Sequence, residues 1–244
     1  MSGSKHNIIQ QLQREILPLQ GYKLPLQGTD VSIGLGPLER AFPHGRWPTG
    51  AIHEFIATGS PAAAATAGFT AAVVGRLMQH TGVAIWIGKK LPVFPGALDA
   101  FGIGAERVIF ITPDRDQHVA WAMEEALKCE GLAAVVGHIR DIDAIASRRL
   151  QLAVEQSGVT GFLLRHDPRQ ISAIAAVARW QITPLASGGE AGMPGVGSPR
   201  WEVALLKVRN GQPGKWKIEW SAGAFHILPV EARRTWPEEK RKAV

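Results

Sequence analysis

AIHEFIATGSPAAAAT, residues 51–66, decides the fold. Residues 51–57 form a compact apolar run, the length of a buried strand rather than a helix. Thr58, Gly59, Ser60 and Pro61 read as a turn. The alanines after them open a helix that runs on through Val73, Val74, Leu77 and Met78. Strand, tight turn and long helix make the first half of a β-α-β unit, and the downstream sequence repeats the alternation. Thr81-Gly82 breaks the helix, and strands follow at 83–87, 107–111, 132–136 and 161–164. Between them lie a short helix at 96–103 and longer ones at 118–129 and 142–157. The run 132–136 is apolar throughout, which suits a parallel sheet covered on both faces. Beyond 164 the pattern changes. A strand at 179–185 leads into a Gly/Pro/Ser-rich loop at 186–199, then two strands, 201–209 and 216–220, flank the hairpin turn 210–214. The expected fold class is α/β: a mostly parallel central sheet with helices on both faces, extended by C-terminal antiparallel strands.

Upstream of the decisive stretch, residues 31–50 are dense in Gly and Pro around a short helix at 37–42. Residues 5–20 place Ile8, Ile9, Leu12, Ile16 and Leu17 at helical spacing, and that face needs burial against a neighbour. Three regions follow: an N-terminal helix and linker at 1–30, one α/β domain at 31–230, and a charged flexible tail at 231–244. The 244 residues are 45% hydrophobic and 20% charged, enough for a sizeable core and too apolar for global disorder. No apolar run approaches the ~20 residues of a membrane span, and the N-terminus, with no apolar core and no small-residue cleavage site, does not read as a signal peptide. The single cysteine, Cys129, excludes an internal disulfide and a Cys-based zinc site; its place in a helical stretch suggests a buried structural thiol. Together these features fit a cytoplasmic protein. The net charge of +6 and pI near 9.8 allow an acidic partner or a weak contact with DNA.

The turn after the strand 51–57 is where a phosphate-binding loop would lie, with the pattern G-x-x-x-x-G-K-[ST]. Such a loop cradles phosphate with backbone N–H groups, neutralises it with the lysine and holds Mg²⁺ with the hydroxyl. In that register Gly59 and Thr66 remain, while Ala64 and Ala65 stand where Gly and Lys are needed. Residues 59–66 therefore read either as a vestigial phosphate turn or as a strand-to-helix turn that never bound phosphate. Elsewhere, Gly34-Leu35-Gly36 precedes the first strong strand and is read as a turn rather than a dinucleotide fingerprint. The eight histidines show no metal-site spacing, and no G-x-S-x-G elbow occurs. Trp180, Trp201, Trp216 and Trp220 serve either the core or a partner anchor. Arg140, Arg148, Arg149 and Arg165 are the candidates for a partner or DNA surface, with a merely solvated basic face as the alternative.

Residues 31–57 resemble the entry segment of RecA in order and spacing, through Ile33-Gly34, 37–42, Pro48-Thr49-Gly50 and Glu54-Phe55. The resemblance implies a water-activating glutamate at or near Lys90 and a Mg²⁺-linked aspartate at Gly137, before His138. Neither acid is there. Asp141 and Asp143, farther on, read as helix-capping residues. Over residues 5–228 the chain resembles the ImuA family, through 148–153 with 161–165, then 178–180 and 205–216. The block 135–138 through 161–165 is also similar to SulA, the SOS inhibitor of cell division that binds FtsZ. Membership of the ImuA family implies a RecA-like accessory protein in SOS-linked, error-prone translesion synthesis. Its expected partners are an ImuB-like protein, the error-prone polymerase complex or RecA. The resemblance implies a pseudo-ATPase with neither cofactor nor metal; the alternatives are a SulA-like FtsZ inhibitor and a DNA-binding module.

Overall fold

A computed structural model describes residues 33–79, 82–90, 93–188 and 197–229. The expected helix at 5–20, the tail at 231–244 and most of the loop at 186–199 lie outside them. The described elements in chain order are strand β1 (Ile52–Ala57), helix α1 (Gly59–Leu77), β2 (Val83–Gly88), β3 (Val108–Ile111), α2 (Asp116–Leu127), β4 (Leu132–His138), α3 (Ala144–Ser157), β5 (Thr160–His166), β6 (Ala178–Gly188), β7 (Ser198–Val208), β8 (Gly214–Ser221) and β9 (Ala224–Ile227). The short helices expected at 37–42 and 96–103 are 3₁₀ segments, Gly36–Ala41 and Pro95–Phe101.

The strands form one sheet in the order β3-β2-β4-β5-β1-β6-β7-β8-β9. Strands β1 to β6 pair in parallel, and β6 to β9 pair antiparallel. β1 is buried at every position because β5 and β6 flank it and packed layers cover both faces. One face carries the larger core, with Phe55, Phe69, Val73, Trp180, Trp201 and Trp220 around α1. The opposite face packs Ile52, Val135, Leu163, Met123 and Leu150 beneath α2 and α3. Three of the four C-terminal tryptophans are thus core residues, and Trp216 packs partly buried against them. At roughly 25 cal/mol per Å² and 150–250 Å² per aromatic, each of the three contributes about 6 kcal/mol of transfer free energy at most.

Local sequence explains the helix ends. The Asp143 carboxylate accepts the Ala146 N–H at 2.6 Å and caps α3, and left-handed Gly158 (φ 78°) ends it. Asp143 is therefore the helix cap expected of it. Gly75 lets α1 approach the 3₁₀ segment closely: a Cβ there would lie 2.1 Å from the Phe101 carbonyl oxygen.

Two expectations are corrected. Cys129 is exposed, because α2 ends at Leu127 and the thiol falls in the turn beyond it. The fourth antiparallel strand, β9, follows a tight Ala222-Gly223 turn with φ of 50° and 72°, and it was not anticipated.

Candidate functional site

In an open parallel sheet, ligands bind in the crevice beyond the strands' carboxyl ends, where the strand order reverses about a central strand. Here that strand is β1, whose chain leaves through α1 for β2 while β5 and β6 flank it. A cavity of about 420 Å³ opens at this place. Its apolar wall includes Ala57, Ala63, Ala64, Ile139 and Leu164. Its polar wall brings in Ser60 and Thr66 from α1, Lys89 and Lys90 after β2, His138 and Arg140 from the end of β4, and Asp116 at the start of α2.

The residues expected to form a turn, Gly59 to Thr66, are helical. The cause lies in their composition. Pro61 fits the first helical turn, where its missing N–H costs nothing, and four alanines then favour the helix strongly. The turn contracts to Thr58 and Gly59, whose φ of 77° only glycine adopts freely. The Thr58 side chain does not cap α1. Instead the Gly59 N–H donates to the Asp167 carboxylate at 2.9 Å, from the loop after β5. Asp167 itself holds an uncommon φ of 45°. The chain's own carboxylate thus sits on the first free N–H of this helix, where its dipole favours negative charge.

The other expected catalytic positions are equally plain. Lys90 is exposed directly after β2. Gly137 is buried in β4, where a Cβ would lie 2.5 Å from Met123 Sδ, so a side chain there requires the Met123 side chain to shift. His138 stacks on Trp86, whose indole N–H donates to His138 Nε2 at 2.6 Å. Burial, with a smaller contribution from the nearby His166, lowers its pKa to about 4. Among the described residues no cluster of three His, Cys, Asp or Glu side chains could hold a metal.

The four candidate arginines do not form one face. Arg165 is 1% exposed, so it cannot belong to a contact surface. Arg140 is exposed at the cavity and donates its Nε to the Asp167 carbonyl at 2.9 Å. Arg148 pairs with Glu155 at 3.8 Å and Arg149 with Glu124 at 2.6 Å, so both α3 arginines already face carboxylates.

Sequence reading missed the buried charge cluster behind the cavity. Glu54, in the middle of β1, is wholly buried. The strand register places Arg179 of β6 opposite it, and Arg165 of β5 two residues beyond its partner Leu163 on the same side of the sheet. Arg165 Nη1 donates to Glu54 Oε1 at 2.8 Å and Arg179 Nε to Oε2 at 2.5 Å. Their remaining donors reach outward: Arg165 Nη2 to the Gln170 carbonyl at 2.8 Å and Arg179 Nη2 to that of Ser172 at 2.6 Å. Asp141 accepts the Arg169 N–H at 2.9 Å, and Ser147 Oγ accepts that of Ala175 at 3.2 Å. The loop between β5 and β6 is thereby fastened along its length by the sheet arginines, by Asp141 beyond β4 and by Ser147 of α3. A glutamate inside an apolar strand was the available signal, but its partners lie 111 and 125 residues away.

On the opposite side of β1, His53 stacks on Trp47 with ring centroids 4.4 Å apart. Its Nε2–H donates to the Pro48 carbonyl at 2.7 Å, and its Nδ1 accepts the Trp180 indole N–H at 3.4 Å. Burial lowers its pKa to about 4, against the opposing pull of the Pro48 carbonyl.

A mostly parallel sheet lengthened by antiparallel strands, with a crevice above β1, defines a RecA-like α/β protein. The crystal structure of the RadB recombinase has this fold, with a TM-score of 0.56 at 12% identity over 82% of this chain and 100% of that one. No protein-family model matches the chain. Protein ImuA of Caulobacter vibrioides (strain NA1000 / CB15N) is 32% identical over 201 residues, covering 78% of this chain and 82% of that protein. Protein ImuA of strain ATCC 19089 / CIP 103742 / CB 15 matches to the same extent. The chain belongs to the ImuA family.

Proposed function

We propose that the protein is a non-catalytic RecA-like accessory factor in SOS-induced, error-prone translesion synthesis. It acts through contacts with an ImuB-like protein, the mutagenic polymerase complex or RecA, rather than by turning over ATP. The observation that carries this reading is the closed start of α1: residues 59–66 are helix, and Asp167 occupies the Gly59 N–H. Lys90 and Gly137, at the positions where RecA-type catalysis calls for acids, support it. Family membership supplies the cellular setting. Among the described residues no helix is long and apolar enough to cross a membrane, which accords with work alongside DNA-bound machinery.

The test has two arms. Purified protein with Mg²⁺ and ATP should show no turnover above a matched buffer blank; robust turnover sinks the reading. Tagged protein from cells after DNA damage should co-purify an ImuB-like protein, and loss of its gene should abolish damage-induced mutagenesis. Capture of FtsZ with arrested division, and no ImuB-like protein, would instead select the SulA-like alternative.

A further inference from the structure

We infer that the groove between α2 and α3 docks a short basic segment of a partner protein, anchored by one large apolar side chain. This rests on the reading that the chain works through protein contacts. It adds where one contact falls and what chemistry it takes.

The groove lies between the first turns of the two helices and holds about 270 Å³. Its floor is the outer edge of the core, at Ile139 and Ile142, and Ala120 and Ala146 line its sides. On α2 the lining residues Gln117, Trp121 and Glu124 fall at helical spacing, so one face of that helix is turned to the groove. The Arg149–Glu124 pair joins α3 to α2 across it at 2.6 Å.

Two large apolar side chains stand here unburied. Trp121 lines the groove yet is 61% exposed. Ile145, beside Ala146 and one turn before Arg149 on α3, is 75% exposed. Both types form helix less readily than alanine, leucine, lysine or glutamate, so neither is there for the helix. Exposed apolar groups around a concavity mark a protein contact, and tryptophan is foremost among residues that carry binding energy. The volume lies just under the range of small-molecule pockets and suits an inserted side chain.

Charge selects the partner. Four carboxylates line the groove, Asp116, Glu124, Asp141 and Asp143, against one cation, Arg149. Three of them are engaged: Glu124 with Arg149 and Lys128, Asp141 with Arg169, and Asp143 as the cap of α3. Asp116 is exposed in the first turn of α2 and has no ion pair among the described residues. A lysine or arginine next to the anchoring side chain would meet Asp116. The same surplus of carboxylates disfavours an acidic peptide and the phosphates of nucleic acid.

The test uses overlapping, fluorescently labelled synthetic peptides that tile the ImuB-like protein, the error-prone polymerase and RecA of the same organism. Each is titrated with the full chain and read by anisotropy. At least one peptide should bind saturably, and the binders should share a large apolar residue beside lysine or arginine. Trp121→Ala should weaken binding at least about tenfold, and Ile145→Gln about fivefold. Asp116→Asn should weaken it several-fold and make it less sensitive to salt. All three positions are exposed, so circular dichroism should be unchanged. Leu206→Ala, an exposed apolar position on β7, should bind as the parent does. No saturable binding would overturn the inference, as would binders that are acidic or binding unchanged in Trp121→Ala. Dimerisation of the chain, or capture of a DNA oligonucleotide, that Trp121→Ala abolishes would give the groove to another occupant and overturn it too. Co-purification of the ImuB-like protein that survives Trp121→Ala would reject the groove and leave the proposed function standing. Peptide binding through Trp121, with damage-induced mutagenesis intact in the gene's absence, would do the reverse.

Discussion

Replacing Glu54 with glutamine should destabilise the protein far more than any surface charge change. The substitution keeps the shape of the side chain but removes its charge between two guanidinium groups, one of them 1% exposed. Glutamine can still accept from Arg165 or Arg179 through its one carbonyl oxygen, while its NH₂ faces the other donor. Breaking a buried pair by removing one partner costs about 3–5 kcal/mol, because the remaining charge stays buried. Here two cations share the loss, so at least ~3 kcal/mol is expected, a large fraction of a typical domain stability of about 5–15 kcal/mol. With a urea m-value of ~2–3 kcal/mol/M, the midpoint should fall by about 1 M or more. Amides of the fastened loop, around Gln170 to Ala175, should exchange faster than the global loss accounts for, since Arg165 and Arg179 hold its carbonyls. A triple change, Glu54→Leu with Arg165→Met and Arg179→Met, should recover much of the loss by removing all three charges together. A midpoint shift below ~0.3 M for Glu54→Gln, or no recovery in the triple variant, would refute the claim that Glu54 is the hub of this cluster.

Stability should also depend on pH through His53. Its folded pKa, about 4, lies below the ordinary value of 6.5, so the unfolded chain binds the proton first as pH falls. Its contribution is intact above pH 6.5 and declines down to about 4, by ~3 kcal/mol over the window; urea midpoints at several pH values should flatten by about one proton in His53→Phe. Gly75→Ala, which would strengthen an exposed helix, should instead lower the melting temperature, because its Cβ meets the Phe101 carbonyl. Thr70→Val should be neutral or stabilising by thermal melt, since its buried Oγ1 has no partner to lose. Cys129 should react with a thiol reagent in the folded state at a rate close to that in denaturant.

The alternation of strands and helices was readable in the sequence because apolar runs of strand length recur between helical stretches, and the parallel sheet follows directly. Four features were hidden, for different reasons. The stretch 59–66 carries turn signals at its start, yet Pro61 and the alanines fit a helix equally well. Only the acceptor from Asp167, more than a hundred residues on, shows where the helix begins. Arg165 looked like a surface cation because its type is nearly always exposed; its burial depends on Glu54, which no local pattern links to it. β9 followed an Ala-Gly turn rather than the Asn-Gly or Asp-Gly that announces a hairpin. Cys129 was misread by two residues of helix, since α2 stops before it.

The Asp167 cap on Gly59 has a consequence for anyone wishing to engineer a nucleotide-splitting enzyme from this scaffold. Writing glycine and lysine over Ala64 and Ala65 would change two letters and leave the backbone as it is. The first two turns of α1 would still have to unwind, against the helix preference of the flanking alanines, before any nest of amides could face a phosphate. Asp167 would have to let go and surrender a conformation that its hydrogen bond helps to hold. An aspartate at Gly137 would then have to displace Met123. Each of these changes disturbs packing or a hydrogen bond that the fold now uses, so each alone should cost stability.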